Sequence, residues 1–279
     1  MSGSALVLGG GGPVGGAWLA GVLAGLTAAG IDLGGADVVI GTSAGAVFGS
    51  RLRSGVPAAD LYERQLSGAD AVRLPVTARQ SASFLWAACG SRDPQRSVER
   101  LARAALRART GPESDVLDTV GSLLGDVCEW PERELRIAAV DARSGRTEVF
   151  DSHSGVTLLE AVAASCAVPV VWPPVTVAGR RWMDGGSRST ANLQLARGYR
   201  RVLAIVPVPR AVGPHPSAPQ QAAELSAEGA RVVLLSPDRA ARRVMGRNLT
   251  DDTRRPAAAR AGHAQASALA PSVADVWQG

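Results

Sequence analysis

A serine and its neighbours carry the strongest chemical signal in the chain. The segment Gly41-Thr42-Ser43-Ala44-Gly45 has the spacing G-x-S-x-G and stands between a β-branched apolar run and a stretch of small helix formers. This arrangement is typical of a nucleophile elbow, in which a sharp turn between strand and helix pushes a serine hydroxyl out of the backbone. We therefore predict that Ser43 is the nucleophile of an acyl transfer and that the amide of Ala44 is an oxyanion donor.

The base that would activate Ser43 is not an obvious histidine. The chain contains His153, His215 and His263, and an α/β-hydrolase, whose triad runs in the order serine, acid, histidine, would have to use one of the last two. His215 lies in a Pro-rich loop and His263 in an Ala/Arg-rich helix, so both are interpreted as solvated surface residues. Ser43 also follows the second predicted strand, earlier than that fold places its nucleophile.

Asp184 is the better candidate for the base. It ends a predicted strand in the segment RWMDGGSRS, and Gly185 and Gly186 allow a sharp turn that brings a carboxylate close to another loop. A carboxylate is a weak base, but burial against a serine hydroxyl raises its basicity. The alternative is a turn aspartate that caps its own backbone.

A glycine-rich turn precedes the first predicted helix. Gly10, Gly12 and Gly15 form a G-x-G-x-x-G pattern, which also opens dinucleotide-binding folds. Those folds need an acidic residue at the end of the second strand, and here that strand runs into the elbow instead. The other use of such a turn is to point the free amides of a helix N-terminus at negative charge, such as the oxyanion of an acyl transfer.

The elements that must position these residues alternate between strand and helix. Two strand-to-helix units in the first 55 residues predict a parallel sheet with helices on its faces, and the segments RVLAIVPV and RVVLLSP resume the alternation later. Hairpins are predicted around Ser144-Gly145 and Ala178-Gly179. The whole pattern fits one α/β domain over residues 1–279.

Residues 55–130 differ from the rest because they are arginine-rich and amphipathic, with Pro and Gly breaks. We predict a helical insertion over the site. Phe84, Leu85 and Trp86 either line an acyl pocket or lid, or form the buried face of a helix. Trp172 is either a wall of the site or part of a rigid loop under it.

Composition limits the partners and the compartment. The chain has 279 residues, 46% of them hydrophobic and 20% charged, which is ordinary for a folded protein. Its formal charge is +5, and no run of five or six basic residues points to nucleic acid. Three widely spaced cysteines without a C-x-x-C pair favour a reducing, cytoplasmic compartment. The uncharged residues 2–31 are interrupted by Gly9 to Gly12 and Pro13, so they predict a buried strand and helix rather than a signal peptide.

Taken together, these motifs resemble the patatin-like phospholipase family, from the first strand to the last helix. The resemblance covers Gly10 to Gly15, Gly41 to Gly45, Ala164 to Val175 and Asp184 to Gly186. It implies a three-layer α/β/α sandwich with a mostly parallel sheet, related to acyl-carrier-protein transacylases. It also implies a catalytic dyad of Ser43 and Asp184, with an oxyanion hole at Gly11 and Gly12.

One position departs from the family pattern, since Val14 stands where an arginine or lysine is common. This puts in doubt any headgroup contact of that residue and leaves a less polar substrate open. The expected function is a serine acyl hydrolase that acts on an acyl ester or phospholipid without metal or cofactor, with possible peripheral membrane contact. The alternatives are an acyltransferase or thioesterase on a carrier-bound acyl group, a non-catalytic lipid-binding relative and, as the weakest, a nucleotide-binding oxidoreductase. The sequence leaves the oligomeric state open.

Overall fold

The computed structural model describes residues 2–72 and 76–278. Within them, eight strands form one sheet and ten α-helices surround it. The strands are β1 (Ser4–Leu8), β2 (Val38–Gly41), β3 (Leu135–Asp141), β4 (Thr147–Phe150), β5 (Val175–Val177), β6 (Arg180–Asp184), β7 (Arg201–Ile205) and β8 (Arg231–Leu235). The helices are α1 (Gly12–Ala28), α2 (Ala44–Arg53), α3 (Ala58–Ser67), α4 (Ala78–Cys89), α5 (Pro94–Arg107), α6 (Glu113–Leu124), α7 (Leu158–Cys166), α8 (Ala218–Ala227), α9 (Arg239–Met245) and α10 (Arg255–Trp277).

The sheet has the order β5-β6-β3-β2-β1-β7-β8, and β4 pairs with β3. Its five strands β3, β2, β1, β7 and β8 are parallel, whereas β4, β5 and β6 join antiparallel. Apart from Ser4, strands β1 and β2 are apolar, and all their residues are buried, as expected for parallel strands covered on both faces. The predicted mostly parallel sheet flanked by helices is therefore confirmed.

Alternate residues of the central strands pack into two separate hydrophobic cores, one on each face of the sheet. In β1, Leu6 and Leu8 pack into the core shared with α1, α7 and α10, whereas Ala5 and Val7 pack into the core shared with α8. This period of two is what a strand buried between two helix layers requires. Helix α1 is buried along most of its length, as predicted. Within the described residues, no helix is long and apolar enough to cross a membrane.

Four helices, α3 to α6, lie between α2 and β3, in the segment where we predict an insertion. Helix α5 packs on the sheet through Val98, which shares a small core with Val140 and Met183. Leu85 and Trp86 form neither a buried helix face nor a part of the pocket over Ser43, because their side chains are 54% and 71% exposed and do not line it. The reason is that α4 uses Ala87 and Ala88, with half-buried Phe84, to contact α5. The place of Leu85 and Trp86 in a lid stays a prediction. The single-domain boundaries stay a prediction.

Candidate active site

The register of the sheet brings the elbow and the Asp184 turn together. Strands β2 and β6 both pair with the edge of β3 that faces away from β4: Gly41 lies opposite Ile137, and Asp184 lies opposite Ala139. These two β3 residues are two positions apart. The chain end of β2 therefore meets the chain end of β6 over the middle of β3, although 143 positions of sequence separate Gly41 from Asp184.

The turn at Ser43 has the geometry of a nucleophile elbow. Ser43 has φ 54° and ψ −122°, a region that costs a non-glycine residue on the order of 1–3 kcal/mol. Helix α2 begins at the next residue, Ala44, directly above β1. A Cβ atom at Gly45 would lie 2.0 Å from the carbonyl oxygen of Leu8, so this close approach of helix and strand requires glycine.

Asp184 is 5% exposed and faces the Ser43 hydroxyl. Burial raises the pKa of Asp184 to about 6, and hydrogen bonds from the Ser43 side chain and from the amide of Gly186 oppose that rise. The Gly186 amide donates to Oδ1 of Asp184 at 2.6 Å. The carboxylate therefore caps its own turn and also contacts the predicted nucleophile, so the two sequence interpretations describe the same geometry.

The predicted oxyanion donors differ in their relation to the pocket. Gly12 and Ala44 are the first residues of α1 and α2, so their amides have no acceptor within those helices, and both residues line the pocket beside Ser43. Gly11 does not line the pocket, and a Cβ there would lie 2.7 Å from Pro207. The amide of Ser43 itself donates to the Ser165 hydroxyl at 2.9 Å.

The other motif glycines allow close contacts behind these groups. A Cβ atom at any of four of them would lie within 3.2 Å of another part of the site: Gly10 against Ser43, Gly15 against Pro207, Gly41 against Ala46, and Gly185 against Ala138. A Cβ at Gly186 would lie 2.9 Å from the Asp184 carboxylate. These positions therefore need glycine because a larger side chain would collide with neighbouring atoms of the site, and not only because of the turn geometry.

Two buried polar residues that the sequence did not single out hold these turns in place. Ser165, at the end of α7, accepts the Ser43 amide and donates to the carbonyl of Ala138 at 2.7 Å. The Asn192 side chain donates to the Thr42 hydroxyl at 3.0 Å and to the carbonyl of Ser189 at 2.8 Å, so it ties the elbow to the loop after Asp184. Ser165 lies inside the stretch from Ala164 to Val175, which is part of the family resemblance, but nothing in the sequence indicates its hydrogen-bond partners.

Cys166 lies next to the candidate dyad, although nothing in the sequence assigns it chemistry. Its side chain lines the pocket and contacts the Ser43 hydroxyl. Burial and, to a smaller extent, the charge of Asp184 raise the pKa of the Cys166 thiol far above its ordinary value. The thiol is therefore neutral near pH 7 and is not a competing nucleophile.

An open pocket lies over Ser43, with about 690 Å³ of space when the adjoining solvent is included. Most of its lining is apolar and comes from α2, α6 and the loop after α7: Val47, Phe48, Val116, Val120, Leu123, Val168 and Trp172. Trp172 is thus a wall of the pocket, one of the two possibilities left open by the sequence. Helix α6 brings the predicted insertion into the site.

One part of the pocket lining is charged. Asp70 and Arg255 lie there, and both are buried. Arg255 donates to the carbonyl of Asp70, to the side-chain oxygen of Gln65 at 2.6 Å and to Asp252 at 3.2 Å. The Asp70 carboxylate pairs with Arg51 at 2.8 Å. The pocket therefore has an apolar wall and a charged patch.

The histidines lie outside this pocket, and one expectation about them is wrong. His215 is 9% exposed rather than solvated, because it packs into a polar cavity with Ser189 and Gln221. Burial, followed by the charge of Arg188, lowers the pKa of His215. His263 is half-buried against the ring of Tyr62. Within the described residues, no group of three or more His, Cys, Asp and Glu side chains is arranged to hold a metal ion.

The fold and the site define an α/β protein in which an elbow serine faces a buried carboxylate beside an apolar pocket. The family model for patatin-like phospholipases matches residues 6–197, well over half of the chain. The chain belongs to the patatin-like phospholipase family. Membership supports an activity as a lipid acyl hydrolase.

Two solved structures are similar to this chain over nearly its whole length. VipD from Legionella pneumophila is 14% identical over 98% of this chain and 67% of its own, with a TM-score of 0.53, which shows a common fold. The type III effector protein ExoU is also 14% identical, over 98% of this chain and 53% of its own, with a TM-score of 0.44. This chain thus spans about half of the ExoU chain. No curated protein sequence matches it.

Proposed function

We propose that this protein is a serine hydrolase that cleaves lipid acyl esters with a dyad of Ser43 and Asp184. The observation that carries the proposal is the contact between a strained elbow serine and a buried carboxylate whose pKa is about 6. A carboxylate of that pKa is ionised near pH 7 and is a stronger base than an ordinary aspartate. No histidine is needed for the scheme.

In the first half of the reaction, the Ser43 hydroxyl attacks the ester carbonyl while Asp184 accepts its proton. The negative charge that forms on the carbonyl oxygen lies at the first turns of α1 and α2. There the amides of Gly12 and Ala44, together with Gly11 at the end of the glycine turn, are the donors we propose for the oxyanion. When the ester C–O bond breaks, Asp184 returns the proton to the leaving alcohol.

In the second half, a water molecule attacks the acyl-enzyme ester. Asp184 accepts the proton of this water, the carbonyl oxygen again carries the negative charge, and the Ser43 oxygen leaves and regains its proton from Asp184. The apolar wall formed by α6 and Trp172 suits the acyl chain of a lipid. The scheme uses no metal and no organic cofactor, so we expect activity to survive a chelator.

A covalent probe tests the dyad directly. Treatment with a fluorophosphonate followed by peptide mapping is expected to place the adduct on Ser43, and Ser43→Ala is expected to abolish it. In Asp184→Asn the rate of labelling should fall by at least a hundredfold while the fold is retained by circular dichroism. An adduct on another residue, or unchanged labelling of Asp184→Asn, would contradict the dyad. No labelling at all would favour a non-catalytic lipid-binding protein.

The identity of the acyl acceptor is a separate question, and one observation favours a transferase or thioesterase as the second candidate. Val14 is completely buried in the core, so the glycine turn offers no cation to a phospholipid headgroup. The rates of hydrolysis of phospholipids, p-nitrophenyl esters and acyl thioesters can be compared at the same concentration of active enzyme, determined by labelling of Ser43. A rate that is higher for thioesters and rises further with an added alcohol or carrier thiol would support the second candidate.

A further inference from the structure

Two helices of the predicted insertion carry exposed large apolar side chains. Within the described residues, the exposed large hydrophobic side chains are Leu85, Trp86 and Leu106, at 54%, 71% and 48%. All three belong to α4 or α5. Single exposed leucines are common on proteins. An exposed tryptophan beside an exposed leucine is instead typical of a surface that binds a membrane, a ligand or another protein.

The segment that contains these two helices has a net charge as large as that of the whole chain. Residues 78–109 contain seven arginines and two acidic residues, Asp93 and Glu99, and therefore a net charge of +5, which equals that of all 279 residues. None of the seven arginines pairs with a carboxylate within the described residues. The arginines are Arg79, Arg92, Arg96, Arg100, Arg103, Arg107 and Arg109.

Helical spacing places four of these arginines on one face of α5, and one of them contacts the tryptophan. Four of the arginines recur along α5 at intervals of four, three and four residues, so they share one face of the helix, opposite its buried side chains. Arg79 precedes Trp86 by two turns on α4. The guanidinium of Arg100 lies over the Trp86 ring, 4.5 Å from its centroid. Trp86 therefore lies beside a row of arginines that have no carboxylate partner within the described residues.

This surface is connected to the candidate active site. In the first turn of α4, the Gln80 side chain donates to the carbonyl of Val170 at 3.1 Å, within the loop whose Val168 and Trp172 line the pocket. On the other side, Val98 of α5 packs against Met183, the residue before Asp184. The two helices are therefore fastened to the segments that flank the site.

We propose that the α4–α5 surface docks the protein on an anionic lipid bilayer. Tryptophan and leucine side chains partition into the boundary between headgroups and acyl chains, whereas arginine side chains reach the phosphate groups around them. Each basic residue near such a surface contributes about 1 kcal/mol, which raises the binding constant about fivefold. A polyanion such as RNA matches the charge but gives the exposed leucines no apolar phase, so the bilayer fits both properties. This inference deepens the proposed function, but the docking itself needs no catalysis.

Vesicle binding tests the surface in the Ser43→Ala protein, which leaves the lipid intact. We expect cosedimentation with vesicles of phosphatidylcholine and phosphatidylglycerol, weak binding to phosphatidylcholine alone, and a loss of binding at high salt. The triple variant Arg96→Gln, Arg103→Gln and Arg107→Gln should bind about a hundredfold more weakly. A matched control replaces three exposed arginines of α9 and α10, Arg239, Arg243 and Arg260, by glutamine and should keep most of the binding.

Tryptophan fluorescence tests whether Trp86 enters the bilayer. Brominated lipid should quench part of the tryptophan emission of the parent protein. The Trp86→Phe variant should still bind the vesicles but should lose that quenching. If the α5 triple variant and the control triple variant lose the same amount of vesicle binding, the binding depends on net charge alone, and the proposal is overturned. Stronger binding to RNA or to an acidic polypeptide, unaffected by Trp86→Ser, would also overturn it. Because none of these measurements uses turnover, a failure of the Ser43–Asp184 dyad leaves the docking result interpretable.

Discussion

At the scale of single residues, Asp184 shows how a weak base becomes useful and what that costs. Its carboxylate is almost fully buried, and the ionised form keeps two hydrogen bonds, from Gly186 and from Ser43. Burial is the larger effect, so the pKa rises from 3.8 to about 6. Ionising such a group in the folded protein costs about 3 kcal/mol more than in the unfolded chain.

The first prediction concerns the pH dependence of activity. Because the ionised Asp184 is the proposed base, kcat/KM for a soluble ester should rise with pH, pass its half-maximal value near the pKa of about 6 and then reach a plateau. The measurement is a profile with a p-nitrophenyl ester, corrected for spontaneous hydrolysis. A midpoint near 4, where an ordinary aspartate ionises, would show that burial does not tune this carboxyl.

The second prediction concerns stability. The folded protein holds the Asp184 proton more tightly than the unfolded chain does, so this group makes folding less favourable as pH rises from about 4 to 6. Asp184→Asn removes the charge but keeps an oxygen for the Gly186 amide. We expect it to be more stable than the parent protein by up to about 3 kcal/mol at pH 7. In urea unfolding the gain should disappear below about pH 4, and a gain that is independent of pH would contradict this cause.

At the scale of elements, the residues themselves predict the local turns, whereas the meeting of these turns is expected only from the resemblance to a family. Glycine spacing and β-branched runs indicate the elbow and the β5–β6 hairpin, because short-range sterics decide turns. The convergence of Ser43 and Asp184 depends instead on β2 and β6 sharing one edge of β3, a register that no local pattern encodes. The exposure of Trp86 was missed for a related reason, since helical spacing does not say which face of a helix finds a partner. The burial of His215 was missed because the composition of a Pro-rich loop does not say what packs against it.

The third prediction concerns α6 as a pocket wall. Leu123 lines the pocket and is half-buried, so Leu123→Trp should shorten the space for an acyl chain. We expect kcat/KM to fall at least tenfold for long-chain p-nitrophenyl esters and to stay nearly constant for the acetate. Leu117→Trp is the control, because Leu117 is also half-buried on α6 but does not line the pocket. The same loss of activity in both variants would mean that α6 is merely distorted.

At the scale of the whole molecule, the pocket is assembled from distant parts of the chain. The glycine turn, α6 and the beginning of α10 all contribute to it. The contact between Arg255 and the carbonyl of Asp70 spans 185 positions, and the side chains of Asp70 and Arg51 are 1% and 6% exposed. Nothing in the sequence indicates this cluster, because arginine occurs throughout the chain, where no lysine is found.

The fourth prediction concerns this cluster as a link between the two ends of the fold. Asp70→Asn leaves the buried Arg51 without its carboxylate, and the loss of one partner of a buried ion pair costs about 3–5 kcal/mol. Urea unfolding should show that loss. Asp251→Asn removes a partly exposed pair with Arg254 and should change stability little. If Asp70→Asn is as stable as the control, water must reach Arg51 in the folded protein, and the cluster then contributes to the shape of the pocket rather than to the stability of the fold.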